Sequence, residues 1–123
     1  MRVRVIHGID DLASDMAAIP ATAVRDMADT VRKNADSGVR YARGFAKQSA
    51  GSHGKHYPAS MSAESRGLLS WEYGPDAAKP QGGMSFEFGS RNQKPHLDLA
   101  KSADLVAPRF ARDVENLPER WFW

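Results

Sequence analysis

The sequence contains no cysteine among its 123 residues, which excludes disulfides and thiolate metal sites, and nothing in it speaks for secretion. No apolar run approaches the ~20 residues that a membrane-spanning helix needs. The opening MRVRVIHGID has no signal-peptide core, so the expected place is the cytoplasm of whichever cell makes it. Strong charge of either sign is also missing. Lys and Arg number 17 against 15 Asp and Glu, a net of +2, which does not mark a dedicated nucleic-acid binder. Catalytic signatures are absent too. There is no Gly-x-Ser-x-Gly elbow, and GPDAAKPQGG lacks both the lysine–serine step and the following helix of a phosphate-cradling loop.

One absence is local. From Ser37 to Ala63 there is no acid, while Arg40, Arg43, Lys47 and Lys55 fall there with His53 and His56. The acids gather at Asp10, Asp11 and Asp15 and again at Asp113 and Glu115. Two readings of this segregation stay open: a face that meets phosphate or an acidic partner, or a solvated helix end followed by a loop.

What is present fits one α+β domain spanning 1–123. MRVRVIH alternates Val with Arg and reads as a short strand. DDLASDMAAI reads as a helix with acids in its first turn, stopped or kinked near Pro20. The strongest signal follows over 20–51. Val24, Met27, Ala28, Val31, Ala35, Val39, Ala42 and Phe45 advance by threes and fours, which sets them on one stripe of a long amphipathic helix. Gly38 and Gly44 each weaken that helix, leaving two points at which it either bends or lets another backbone approach closely. GSHGKHYPAS is a loop by composition. Trp71-Glu72-Tyr73-Gly74 and Phe86-Glu87-Phe88-Gly89 repeat one alternation. With ASMSAES they predict three strands of a small antiparallel sheet. Trp71, Tyr73, Phe86 and Phe88 would share one face, with Glu72 and Glu87 on the opposite, wetter one. A final helix over 95–117 carries Leu97, Ala100, Ala103 or Asp104, Ala107, Phe110, Val114 and Leu117, and Pro108 should kink or divide it.

The candidate chemistry is thin. His53 and His56 are three apart, yet no nearby acid completes a metal site. Glu72 and Glu87 form a possible acid–base pair without a partner at a recognisable spacing, so no catalysis, metal or cofactor is expected. Two features look like interaction devices. One is the long GPDAAKPQGGMS connector, with Pro75, Asp76, Lys79, Pro80 and Met84 as interface candidates. The other is the terminal Trp121-Phe122-Trp123, which either folds back onto the chain or docks in a neighbouring subunit.

The order of these signals resembles a known family. VRVIHGIDDLASDMAAIPATAVRDMADTVRKNADSGVRYAR is similar to the opening of the small head–tail joining and tail-completion proteins of long-tailed bacteriophages. The step Gly8-Ile9-Asp10-Asp11-Leu12, the proline at Pro20, YGPDAAKP and FEFGSRNQKPHLDLA carry the resemblance in order along most of the chain. Two stretches depart from it: GSHGKHYPASMSAES where the family has Pro-x-Asp-Thr-Gly-x-Leu, and His96-Leu97-Asp98-Leu99 where it continues His-Pro-Phe-Leu. The resemblance implies a non-catalytic ring, hexameric or dodecameric, in the neck of the virion. Its neighbours would be connector or head-completion proteins and tail-terminator or tube proteins. Genomic DNA would pass non-specifically through its lumen, with no membrane involved and with synthesis in the host cytoplasm. Arg40, Arg43, Lys47 and Lys55 are the candidates for the lumen strip. Other roles remain in view: a tail terminator capping the tube, a small DNA-binding protein, and a hydrolase pairing Glu72 or Glu87 with His53 or His56.

Overall fold

A computed structural model of the chain describes residues 2–5, 21–51, 54–79 and 83–122. It contains β1 (Val3–Val5), α1 (Ala21–Ala50), β2 (Met61–Gly67), β3 (Ser70–Pro75), α2 (Gly83–Phe88) and α3 (Asp98–Phe122). A turn of 3-10 helix at Pro58–Ser60 leads into β2. The α+β class is as expected. The expected helix over DDLASDMAAI, with Pro20, lies outside the described residues.

The long helix follows its apolar spacing. Met27, Val31, Ala35, Val39 and Ala42 are buried, while Arg25, Asp29, Arg32, Asp36 and Arg40 are exposed. Many of the buried positions are alanine, so neighbouring elements can come close. At Gly38 a methyl group would overlap the ring of Tyr73 on β3. Polar residues on the buried side are bonded locally, Thr30 Oγ1 donating to the Asp26 carbonyl and Asn34 Nδ2 to the Thr30 carbonyl, each at 2.9 Å.

The sheet has the order β1-β3-β2, all antiparallel, with Val3 opposite Tyr73 and Ala63 also opposite Tyr73. β3 is therefore the central strand. Trp71 and Tyr73 face the helices, Tyr73 fully buried and Trp71 packed on the core's margin. Glu72 points the other way, but it is not wet. Arg2 and Arg66 both reach its carboxylate, and Arg2 also donates to the carbonyls of Pro75 at 3.0 Å and Ser62 at 2.8 Å.

The third expected strand is a correction. MSFEFGS forms the short helix α2, so a helix does follow the Gly-Pro connector, although the lysine–serine step is still missing. Both edges of β3 are already occupied by β1 and β2. Phe86 instead stacks on Tyr57 with ring centroids 4.8 Å apart, and Phe88, which alternation put on the same face, is exposed. Gly89 ends α2 at φ 82°, with Pro95 and the Gln93 carbonyl packed where a side chain would start.

α3 lies antiparallel to α1. The cross-links run Ser49 to Asp98, Tyr41 to Arg109, Asn34 to Asp113 and Asp26 to Trp121. Pro108 does not divide this helix. It and Asp104, whose carbonyl it leaves without an amide partner, both sit on the exposed side. The buried stripe is Leu99, Ser102, Val106, Phe110 and Leu117, whereas Leu97, Ala100 and Ala107, expected on it, are exposed. A serine at the centre of the stripe hides the true period. Ser102 is buried with its polar atom satisfied: Oγ donates to the Leu99 carbonyl at 2.6 Å and shares a hydrogen bond with the Tyr73 hydroxyl at 2.9 Å.

Two tyrosines report on this core. Burial, and then the Glu87 and Asp98 charges, push the Tyr57 phenol far above its ordinary 10.0. Burial and Glu87 raise Tyr73, while its bond to Ser102 works the other way. A phenol whose folded value is raised stabilises the fold fully below about pH 10. Above that the unfolded chain sheds protons that the folded one keeps, so stability falls as pH rises. The expected result in a 295 nm titration is that the native protein lags the guanidinium-denatured protein by at least two phenols. The missing signal should appear together with loss of helix in circular dichroism. Coincident native and denatured curves would contradict the buried placement.

Candidate functional site

The four residues of the expected basic strip have different surroundings. Arg43 is half-buried and turned inward: its Nε donates to the Pro58 carbonyl at 3.3 Å and its Nη2 to the Met61 carbonyl at 3.0 Å. It is a clamp between α1 and the start of β2, and its guanidinium is committed to those carbonyls. Lys47 and Lys55 are exposed, the first near the end of α1 and the second in the turn that follows. Arg40 leans along α1, donating to Ser37 Oγ at 3.0 Å.

Arg40 belongs to a different group. With Lys33, Asp36 and Ser37 of α1 and Arg109 of α3 it lines an open pocket of about 410 Å³. Lys33 also borders a second pocket of about 190 Å³ with Thr30, Asp113, Asn116 and Leu117, so the two meet at Lys33 along the α1–α3 seam. Lys33, Ser37 and Arg40 stand at i, i+4 and i+7 on one side of α1, a relation readable in the sequence. The contribution of Arg109, 69 positions beyond Arg40, needed the antiparallel pairing of the helices.

The carboxylates are structural here. Glu87, almost wholly buried, accepts from the Leu99 N–H at 2.8 Å and the Ala100 N–H at 3.0 Å, capping α3 from outside that helix. Asp98 accepts from Ser49 Oγ at 2.9 Å on each oxygen, with His96 Nδ1 3.9 Å away. Leu97, between them, has φ 57°, and the His96 and Leu97 amides donate to the carbonyls of Phe86 and Glu87. The expectation that Glu87 faces water is thus corrected: the start of α3 needs its charge. His56 is exposed, His53 lies outside the described residues, and among the described residues no group of three acids or histidines could hold a metal.

The interface candidates divide as well. Pro75 is buried; Asp76 Oδ1 accepts from the Ala78 N–H at 2.9 Å; Lys79 is exposed. Trp121 packs against the core, and its Nε1 donates to Asp26 Oδ2 at 3.0 Å. Pro80, Trp123 and the side chains of Met84 and Phe122 lie outside the described residues. Large apolar side chains are exposed elsewhere, at Leu68, Phe88, Leu97 and Leu105. Leu68 is at the β2–β3 turn, and Phe88 and Leu97 flank the α2–α3 connection. β2 begins beside Tyr57, on which Phe86 stacks, and its seven residues carry the chain roughly 20 Å to the turn. The length of β2 thus separates Leu68 from the Tyr57–Phe86 stack. Compared with known proteins, the chain matches no family model, no curated protein and no solved structure.

Proposed function

We propose that this chain is a non-catalytic, ring-forming structural protein of the head–tail connector of a long-tailed bacteriophage. The observation that carries the reading is large apolar side chains exposed on different elements, Leu68 at the β2–β3 turn and Phe88 with Leu97 at the α2–α3 connection. A head-to-tail ring is built from two different patches per subunit, each meeting its complement on the next copy. Among the described residues, short strand, long helix, hairpin and terminal helix come in the order the family resemblance implies, with α2 where a third strand was expected. A small DNA-binding protein is the weaker reading, because the net charge is only +2 and the Arg43 guanidinium of the basic strip donates to two backbone carbonyls.

The test is the copy number in purified particles of the phage whose genome carries this sequence. Quantitative mass spectrometry should give about six or twelve copies per particle, scaled to the major capsid protein. Leu68→Asp and Phe88→Asp should each fold yet fail to enter particles. Absence of the wild-type chain from particles would overturn the proposal.

A further inference from the structure

We propose that the pocket between α1 and α3 is a binding site for a phosphate-class oxyanion, held by Lys33, Ser37, Arg40 and Arg109. The inference rests on that pocket alone and does not depend on ring assembly.

Three observations carry it. The first is charge without compensation. Three cations line the pocket against one carboxylate, and that carboxylate, Asp36, lies within 4.0 Å of Arg32. Lys33, Arg40 and Arg109 form no ion pair with a carboxylate among the described residues. The second is how the arginines are anchored. Arg40 donates to the hydroxyl of Ser37 and Arg109 to that of Tyr41, at 3.0 and 3.2 Å. Neutral acceptors fix the two guanidiniums while leaving their charge unspent. Each keeps further N–H groups to offer, and a fork of donors suits an oxyanion with several acceptor oxygens. The third is the pocket wall. Ser37 is buried at 2% exposure; its oxygen accepts from Arg40, and its own proton has no acceptor among the described residues. A hydroxyl donor beside two guanidiniums and an ammonium matches a tetrahedral anion better than an apolar or cationic guest.

This chemistry has two sources, free phosphate or a nucleotide, and the backbone of a nucleic acid. They are separable by amide chemical shifts of the 15N-labelled full chain. It would be titrated with inorganic phosphate, with a 12-base-pair DNA duplex and with polyglutamate, at two salt concentrations. The expected result is a set of saturable shifts centred on Lys33, Ser37, Arg40 and Arg109. Shifts with phosphate at millimolar concentration assign a small-anion site; shifts with duplex alone assign a backbone site. In either case Arg40→Gln and Arg109→Gln should each weaken binding about tenfold. For the duplex, each should also reduce the slope of log K against log salt by about one. Arg109→Gln sits on the other helix, so a defect in one variant does not leave the other unread. Lys47→Gln and Lys55→Gln, outside the pocket, should change affinity less than twofold.

Three results would overturn the inference: no shift at these four residues with phosphate or duplex, shifts indifferent to both arginine variants, or a response to polyglutamate alone. The last would assign the pocket to an acidic protein partner instead.

Discussion

Replacing Gly38 with alanine should destabilise the protein by about 2 kcal/mol or more, although alanine is the better helix former by about 1 kcal/mol. The added methyl would overlap the ring carbons of Tyr73. That ring cannot swing aside, because Tyr73 is fully buried and its hydroxyl is tied to Ser102 on α3. Relief would require β3 to withdraw from α1. Gly44 supplies the internal control. It lies six residues further along the same helix, where an added methyl meets nothing within 4 Å. Gly44→Ala should therefore gain about 1 kcal/mol from helix propensity alone. The two variants, identical in chemistry, should move the urea midpoint in opposite directions. Equal midpoints would mean that the helix and β3 are not packed at Gly38.

Removing the Glu87 carboxylate should have a comparable or larger effect. Glu87→Ala leaves the Leu99 and Ala100 amides without acceptors at the start of α3, with Leu99 itself buried. Loss of a charged cap together with an orphaned buried donor predicts about 2–4 kcal/mol, or roughly 10 °C in Tm for a domain of this size. Glu87→Gln keeps one acceptor oxygen and the side-chain volume, so it should lose about half as much. A graded order of wild type, Gln and Ala in thermal denaturation is expected. If alanine matched wild type to within 0.5 kcal/mol, some other group would have to satisfy those amides.

The same two residues show where sequence reading succeeds and where it stops. The bounds and buried face of α1 were legible because thirty residues of regular spacing repeat one message. The β2–β3 hairpin was legible from alternation. Phe86-Glu87-Phe88 carries an identical alternation and folds as a helix, because three residues cannot say whether a strand edge is free to receive them. That depends on β1, which reaches β3 from the other end of the sequence. The same local rule places Glu72 and Glu87 in water. Both are buried because partners far along the chain, Arg2 for one and the start of α3 for the other, need a carboxylate there. The members of the basic strip show the same limit. Arg43 and Arg40 look alike in sequence, but one meets the carbonyls before β2 and the other opens onto the pocket with Arg109.

The central place of β3 has a consequence in time. A ribosome makes β1 first, yet the strand it must pair with is not made until Trp71–Tyr73 have been added. Arg2 and its Pro75 acceptor are 73 positions apart. At about 5–20 residues per second, β1 waits roughly 4–14 seconds with its backbone unpaired. A bare strand of valines would be an adhesive edge over that interval. In this chain Arg2 and Arg4 alternate with Val3 and Val5, so the waiting segment carries two positive charges of the kind that disfavour edge-to-edge association. Once β3 arrives, Arg2 changes from a guard into a fastener across the carbonyls of Ser62 and Pro75.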